Sequence, residues 1–412
     1  MRLRRIATLV GGMIAAVAAL AGTAAVGFAV AHRAMVSRGP VVMTAQGKVR
    51  GLATRTTDEF LGVPYAAPPV GRLRWRAPQP AARWRGVRPA RTLPPACPQN
   101  ESPDGPPSTD ESCLYLDVYR PRGVKAGARV PVLFWIHGGG LTTGSATEYN
   151  GSLLAGSDRI EVVSVNYRLG VLGYFAPPWL SRRAPAGRSA DYGLLDQEAA
   201  LRWTHRNIAR FGGDPRRIAI AGESAGGYSV CALLTSPAVR GLFSRAIIES
   251  GSCVSTPLAG AERQSAAFAR SLGCDHASSA MRCLRSLSAA RLLHAPGLNH
   301  DFPGYHWGAG HQVELPFIWP SFNNGFSLSH RFTAGERELS AQMVRWWGAF
   351  VRGGAPDAPG QTPWPAYDGN TNSGAVMSLR PAGASVVIPS SQFGAEHECS
   401  FWDHPSSMSP VR

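Results

Sequence analysis

Ser224 stands in the pentapeptide Gly222-Glu223-Ser224-Ala225-Gly226. A serine hydroxyl is a poor nucleophile until a base removes its proton and nearby donors receive the charge that develops on the substrate oxygen. The glycines of a Gly-x-Ser-x-Gly string permit a sharp strand-to-helix turn that lifts the hydroxyl clear of a sheet, with the next N–H, here of Ala225, able to face the oxyanion. Short Gly/Ser strings recur by chance, so the flanking text decides. Ile218 to Ala221 reads as a strand and Ala225 to Thr235 as a helix, which is the required context. A second signal lies upstream, where His137-Gly138-Gly139-Gly140 closes an apolar run. Successive glycines let backbone N–H groups approach a carbonyl without interference from side chains. Together the two motifs point to acyl transfer through a covalent serine intermediate.

The elements that must position these residues alternate along the chain. Val130 to Ile136 predicts a buried strand and Ile160 to Asn166 the next one. Tyr192 to Arg210 has a helical period, with Leu194, Leu201 and Ile208 on one side, and Ala246 to Glu249 is a further strand. Gly47 to Gly62 reads as a hairpin region leading into a Pro-rich stretch. Strands alternating with helices predict an α/β fold with a mostly parallel central sheet covered on both faces. Beyond Cys253 the text changes: Ala261 to Leu272 and Ala277 to Leu293 predict helices, and Pro296 to Gly310 a loop. Leu339, Met343, Trp346 and Phe350 mark an amphipathic helix whose aromatic stripe is core packing.

The chain has 412 residues, enough for one large core, and no internal repeat. Its formal charge of +15 invites a nucleic-acid partner, but only Lys48 and Lys125 are lysines and the arginines are scattered without a long run. No nucleic-acid motif accompanies the charge, which reads as compositional bias. Met1-Arg2-Leu3-Arg4-Arg5 precedes an uncharged apolar stretch from Ile6 to Ala31, the pattern of an export signal, with Ala29-Val30-Ala31 as a cleavage site. The same stretch is long enough to anchor the chain in a membrane if it is retained. The expected organisation is 1–31 export signal or anchor, 40–404 a single domain, and 405–412 a short tail, with the product secreted or held at the cell envelope. Seven cysteines fit that oxidising compartment. The spacings of Cys97 with Cys113 and of Cys274 with Cys283 suit local disulfides, although spacing does not fix connectivity. Cys231, in an apolar helix pattern, reads as a small buried core residue, while Cys253 and Cys399 either pair with each other or stay free.

Phe211-Gly212-Gly213-Asp214-Pro215, running through Ile218 and Ile220 into the serine pentapeptide, resembles the nucleophile signature of the type-B carboxylesterase/lipase family, which includes the cholinesterases. Glu111-Ser112-Cys113-Leu114-Tyr115-Leu116-Asp117-Val118 is similar to that family's second signature, with Ser112 where an acidic residue is usual. Phe60 to Ala66, Asn166 to Gly170, Tyr192 to Gln197, Trp364 to Tyr367 and Cys399 to Asp403 also resemble family text, so the likeness covers nearly everything after the export segment. It implies an α/β-hydrolase fold, Ser224 as nucleophile, and Gly139, Gly140 and Ala225 as oxyanion donors. It implies His311, in Gly308-Ala309-Gly310-His311-Gln312-Val313-Glu314-Leu315-Pro316, as catalytic base, and supports the Cys97–Cys113 and Cys274–Cys283 pairs. His137 then reads as structural support for the glycine loop, and His205 and His306 as surface or packing residues. No metal and no organic cofactor is implied; the substrate class is a small-molecule or lipid ester.

Two departures qualify the likeness. The family's triad acid sits on a loop after a further strand between nucleophile and histidine, yet nothing from Val254 to Asp301 reads as such a strand and turn. The acid-bearing strand region is missing and the acid is unidentified. Asp301 is a weak candidate for it, and Glu314 a weaker one. In addition, Pro98 to Ser112 contains no aromatic residue, so a cation–π site for a quaternary ammonium has no support. The expectation is an exported serine hydrolase of carboxylic esters, slowed by the lack of an acid. The competing reading is a catalytically impaired binding ectodomain on the same fold.

Overall fold

The computed structural model describes residues 39–182, 191–253, 255, 257–295, 311–312, 314–322, 329–367 and 374–396. The export segment, Asp301, His306, Cys399 and the tail lie outside them. The described strands are β1 (Val41–Met43), β2 (Lys48–Arg50), β3 (Leu52–Ala53), β4 (Thr57–Pro64), β5 (Val87–Pro89), β6 (Tyr115–Pro121), β7 (Val130–Ile136), β8 (Glu161–Val165), β9 (Gly213–Glu223), β10 (Arg245–Glu249), β11 (Ala375–Ser378) and β12 (Val386–Pro389). Seven of them form the central sheet in the order β10-β9-β7-β8-β6-β4-β3. It is a mixed sheet. Pairing is parallel from β10 through β9 and β7 to β8, and antiparallel from β8 through β6 and β4 to β3. The chemistry-bearing motifs both fall in the parallel half.

The alternation of β7 shows why the sheet is covered on two faces, since successive side chains of a strand point to opposite sides. Val132, Phe134 and Ile136 join one buried cluster with Leu201, Trp203 and Ile208 of α2 (Tyr192–Phe211) and Val230 of α3 (Ala225–Thr235). Leu133 and Trp135 join the opposite cluster with Trp319 and with Leu339, Met343 and Trp346 of α4 (Ala334–Gly353). Of the predicted stripe, Leu339, Met343 and Trp346 are core while Phe350 is only half-buried. Helix α4 starts at a capping box between Thr333 and Glu336 and ends at Gly354 with φ 88°.

Several polar residues of the family-like text are buried pins. Arg168 grips Asp196 of α2 with two hydrogen bonds of 2.7 Å, and both side chains are buried. Asp117 on β6 accepts from the Gly62 amide at 2.7 Å, and burial pushes its carboxyl up to about 7. Glu111 pairs with Arg74, whose guanidinium also donates to the carbonyls of Leu284 and Leu287.

Two readings need correction. The stretch Ala277 to Leu293 is two short helices, Ala280–Ser286 and Ala289–Leu293. The second begins where the Ser288 hydroxyl accepts from the Arg291 amide, a cap that restarts the helix. Cys231 is not a lone core thiol: it is bonded to Cys253, which joins α3 to the segment after β10 and removes Cys253 as a partner for Cys399. The structure also joins Cys97 to Cys113 and Cys274 to Cys283. Among the described residues no strand lies beyond β10 in the central sheet, and no helix is long and apolar enough to cross a membrane.

Non-reducing peptide mapping should recover all three pairs. Closing a loop with sequence separation 22, Cys231–Cys253 should stabilise the fold by about 3 kcal/mol, so a Cys231→Ser/Cys253→Ser variant should unfold at correspondingly lower denaturant. Unchanged stability, or free thiols at both positions, would remove this link from the description.

Candidate active site

Strand β9 ends at Glu223 and α3 begins at Ala225, so the whole reversal of direction falls on Ser224. Its backbone takes φ 52° and ψ −119°, a strained positive-φ conformation outside the left-handed α well that costs a non-glycine residue roughly 1–3 kcal/mol. The surrounding packing holds it there. A Cβ on Gly226 would meet the Ile136 carbonyl oxygen at 2.0 Å, and one on Gly222 would meet the Gly226 carbonyl carbon at 2.5 Å. The Ser224 amide donates to the Glu249 carbonyl at 2.9 Å, tying the turn to the neighbouring strand. Ser224 makes no side-chain capping bond, and the Ala225 amide opens α3, where an N–H has no intrahelical acceptor.

The sheet register delivers the glycine loop to this turn. Ile136 on β7 lies opposite Gly222 on β9, so His137 and Gly138 continue alongside Glu223 and Ser224. Contact is close: a Cβ on Gly138 would meet Glu223 Oε2 at 2.6 Å and Ser224 Cβ at 3.3 Å. Gly139 and Gly140 adopt φ 93° and 61°, and the Gly139 carbonyl is turned back to accept from the Thr142 and Thr143 amides at 3.0 and 2.9 Å. His137 is buried against Tyr167, with stacked rings 4.3 Å apart and its Nδ1 2.9 Å from the Gly138 carbonyl. The Tyr167 hydroxyl donates to the His137 carbonyl at 2.7 Å. Burial pushes the His137 imidazole down to about 4, which keeps it neutral under ordinary conditions.

His311 comes from a distant part of the chain to the same place. Its Nε2 lies 3.2 Å from Glu223 Oε1; the His311 side chain is 49% exposed and that of Glu223 fully buried. Around Glu223 the fold gathers other carboxylates. Glu249 is its partner in the parallel pairing of β10 with β9, and accepts from Trp347 Nε1 at 2.8 Å. Glu314 accepts from the Ser250 hydroxyl at 3.3 Å, and Asp104, in the loop closed by Cys97–Cys113, accepts from Thr143 and from Gln312. Burial, followed by repulsion from Glu314, Glu249 and Asp104, pushes the Glu223 carboxyl up to about 9, partly offset by a bond from Gln312. Burial likewise raises Glu249 to about 8. Among the described residues the site thus brings together a strained turn, a glycine loop, the His311 imidazole and an acidic cluster.

Of the residues singled out from sequence, Ser224, Ala225, Gly139, Gly140 and His311 are described here, and Asp301 is not. Glu314 is near, but its hydrogen bond runs to Ser250. Sequence reasoning missed Glu223, Glu249, Asp104 and Gln312 as neighbours of the site. Only Glu223 carried a signal, as an acid placed between an apolar strand and the serine.

Residues 38–301 and 295–402 match the family model described as the carboxylesterase family. The chain is 42% identical to a duck (Anas platyrhynchos) protein named fatty acyl-CoA hydrolase precursor, medium chain, over 61% of this chain and 48% of that one. It is 41% identical to rat (Rattus norvegicus) liver carboxylesterase B-1 over 62% and 48%. The chain therefore spans about half the length of the curated relatives it matches. Among solved structures, a thermophilic PNB esterase superposes with a TM-score of 0.75 and 26% identity, covering 87% of this chain and 99% of that one.

The glycine contacts set an order of sensitivity. Gly226→Ala drives a Cβ into backbone and should lower the unfolding midpoint severely, by the equivalent of about 3 kcal/mol or more. Gly140→Ala meets only Thr142 Oγ1 at 3.6 Å and should cost about 1–2 kcal/mol through its positive φ alone. Equal thermal shifts for the two variants would contradict this packing of the turn.

Proposed function

The chain belongs to the carboxylesterase family, and from that premise we propose that it hydrolyses carboxylic esters through an acyl-Ser224 intermediate. The observation that carries the reading is the strained positive-φ backbone of Ser224 between β9 and α3, pressed against the glycine loop. In this reading Ser224 Oγ attacks the ester carbonyl and His311 takes its proton. The amides of Gly139, Gly140 and Ala225 receive the oxyanion, and the alcohol leaves with the proton returned by His311. Water then repeats the sequence on the acyl-serine. The relatives' names, a fatty acyl-CoA hydrolase and a liver carboxylesterase, favour small-molecule or lipid acyl substrates for this chain as well. We place the whole chemistry in one domain, 40–404. Its export to the cell exterior or envelope is supported by the basic, apolar N-terminus and by three disulfides.

The central sheet ends at β10 among the described residues, where the family-like pattern would continue to its acid. Weak turnover should follow, since loss of the triad acid costs serine proteases on the order of 10⁴ in rate. Good leaving groups need the least help from an imidazolium, so aryl esters should suffer least and alkyl esters most.

A panel of p-nitrophenyl esters of increasing acyl length, with alkyl esters in parallel, tests the proposal. Measurable aryl-ester turnover that Ser224→Ala abolishes supports it, as does a larger deficit on alkyl esters. If Asp301 supplies the acid, Asp301→Asn should drop the rate by orders of magnitude while Glu314→Gln does little. No turnover on any ester would leave a binding ectodomain as the better reading.

A further inference from the structure

Resting on the esterase reading, we infer that Glu223 is the positioning carboxylate of His311, standing in for the acid of a separate strand. Nε2 of His311 lies at ion-pair distance, 3.2 Å, from Glu223 Oε1. Glu223 is fully buried at the last position of β9, where the register with β10 and the turn at Ser224 leave its side chain little freedom.

In the Ser-His-Asp template Nδ1–H faces the acid and Nε2 faces serine. With Nε2 turned to Glu223, the pairing we infer uses the imidazole the other way round and makes Nδ1 the basic nitrogen. As the bond from Ser224 Oγ to the acyl carbon forms, the carbonyl electron pair moves onto oxygen and the Oγ proton passes to Nδ1. The imidazolium so formed donates Nε2–H to the Glu223 carboxylate. On collapse the carbonyl re-forms, the bond to the alcohol oxygen breaks, and the Nδ1 proton goes to that oxygen. Atoms and charge balance without any co-reactant.

The surroundings of Glu223 give the pair a distinctive titration. Glu249 faces it from β10, Glu314 from the segment after His311, and Asp104 from the first disulfide loop. The buried phenols of Tyr149 and Tyr167 face it from the loop after β7 and the segment after β8. Burial and the three carboxylates make Glu223 hold its proton to higher pH than an ordinary carboxyl. Glu223 must therefore lose its proton before it can accept the ring N–H of His311. The ascending limb of kcat/KM should accordingly lie on the alkaline side, with slow turnover at neutral pH.

The test compares the full-length mature protein with Glu223→Gln, Glu223→Asp and Asp301→Asn on p-nitrophenyl acetate across pH. Glu223→Gln should reduce kcat by on the order of 10²- to 10⁴-fold with a smaller effect on KM, and move the ascending limb to lower pH. Glu223→Asp keeps a carboxylate and should fall between, with its limb still alkaline; it also serves if the Gln variant does not fold. A second readout does not need turnover. The ring N–H proton of His311, assigned by its loss in His311→Asn, should appear at low field in ¹⁵N-histidine protein and disappear in Glu223→Gln while persisting in Asp301→Asn. Loss of that proton in Asp301→Asn, its persistence in Glu223→Gln, or an unmoved pH limb would overturn the inference. Wild-type protein that shows the proton but hydrolyses no ester would defeat the esterase reading and leave the Glu223–His311 pairing standing.

Discussion

The turn at Ser224 is a point of backbone strain, and the molecule is arranged to hold it. A serine in this conformation is stable only where its alternatives are blocked. Here Gly222 and Gly226 let α3 fold back onto the end of β7 with almost no clearance, and Glu249 accepts the Ser224 amide from the next strand. Those contacts depend on β7, β9 and β10 lying side by side in parallel register. The register in turn depends on the two apolar clusters sandwiching the sheet. The same geometry carries the glycine loop to the serine, because the loop simply continues β7 past the point where β9 turns. The Cys231–Cys253 bond reinforces this corner by tying α3 to the chain that leaves β10.

The electrostatics of the site run against those of the chain. The protein carries a formal charge of +15, yet the residues nearest His311 are acidic. Burial first, and the neighbouring carboxylates second, raise Glu223 and Glu249. Such a cluster disfavours further negative charge. That arrangement suits a step in which the base becomes positive while donors from the backbone, not cationic side chains, take up the oxyanion. The neutral, buried His137 plays no part in the charge balance and acts by holding the glycine loop against Tyr167.

Much of this was readable in the residues. Val130 to Ile136 is an unbroken apolar run, and a parallel strand buried on both faces needs one; it matches β7 end for end. The start of α3 was equally clear, because a Gly-x-Ser-x-Gly string after an apolar strand permits the sharp turn and close packing that a helix start needs there. What was not legible depends on contacts across space. The Cys231–Cys253 pair links a helix to a segment beyond another strand, and spacing along the chain does not reveal it. The role of Glu223 depends on burial and on Glu249 standing beside it, which only strand register can show. Strand β6 was hidden by its charge: Asp117 and Arg120 are tolerated in it because the Gly62 amide and Asp58 satisfy them. The break at Ser288 was missed because an alanine- and leucine-rich stretch keeps its helical period through a cap.

The folded turn should make Ser224 chemically exceptional among the serines of the chain. Treating the native protein with a fluorophosphonate and locating the adduct by mass spectrometry tests that claim directly. A single stoichiometric phosphonyl group should form on Ser224 and be absent when the protein is unfolded in denaturant before exposure. A native protein left unlabelled, or labelled equally on other serines, would contradict it.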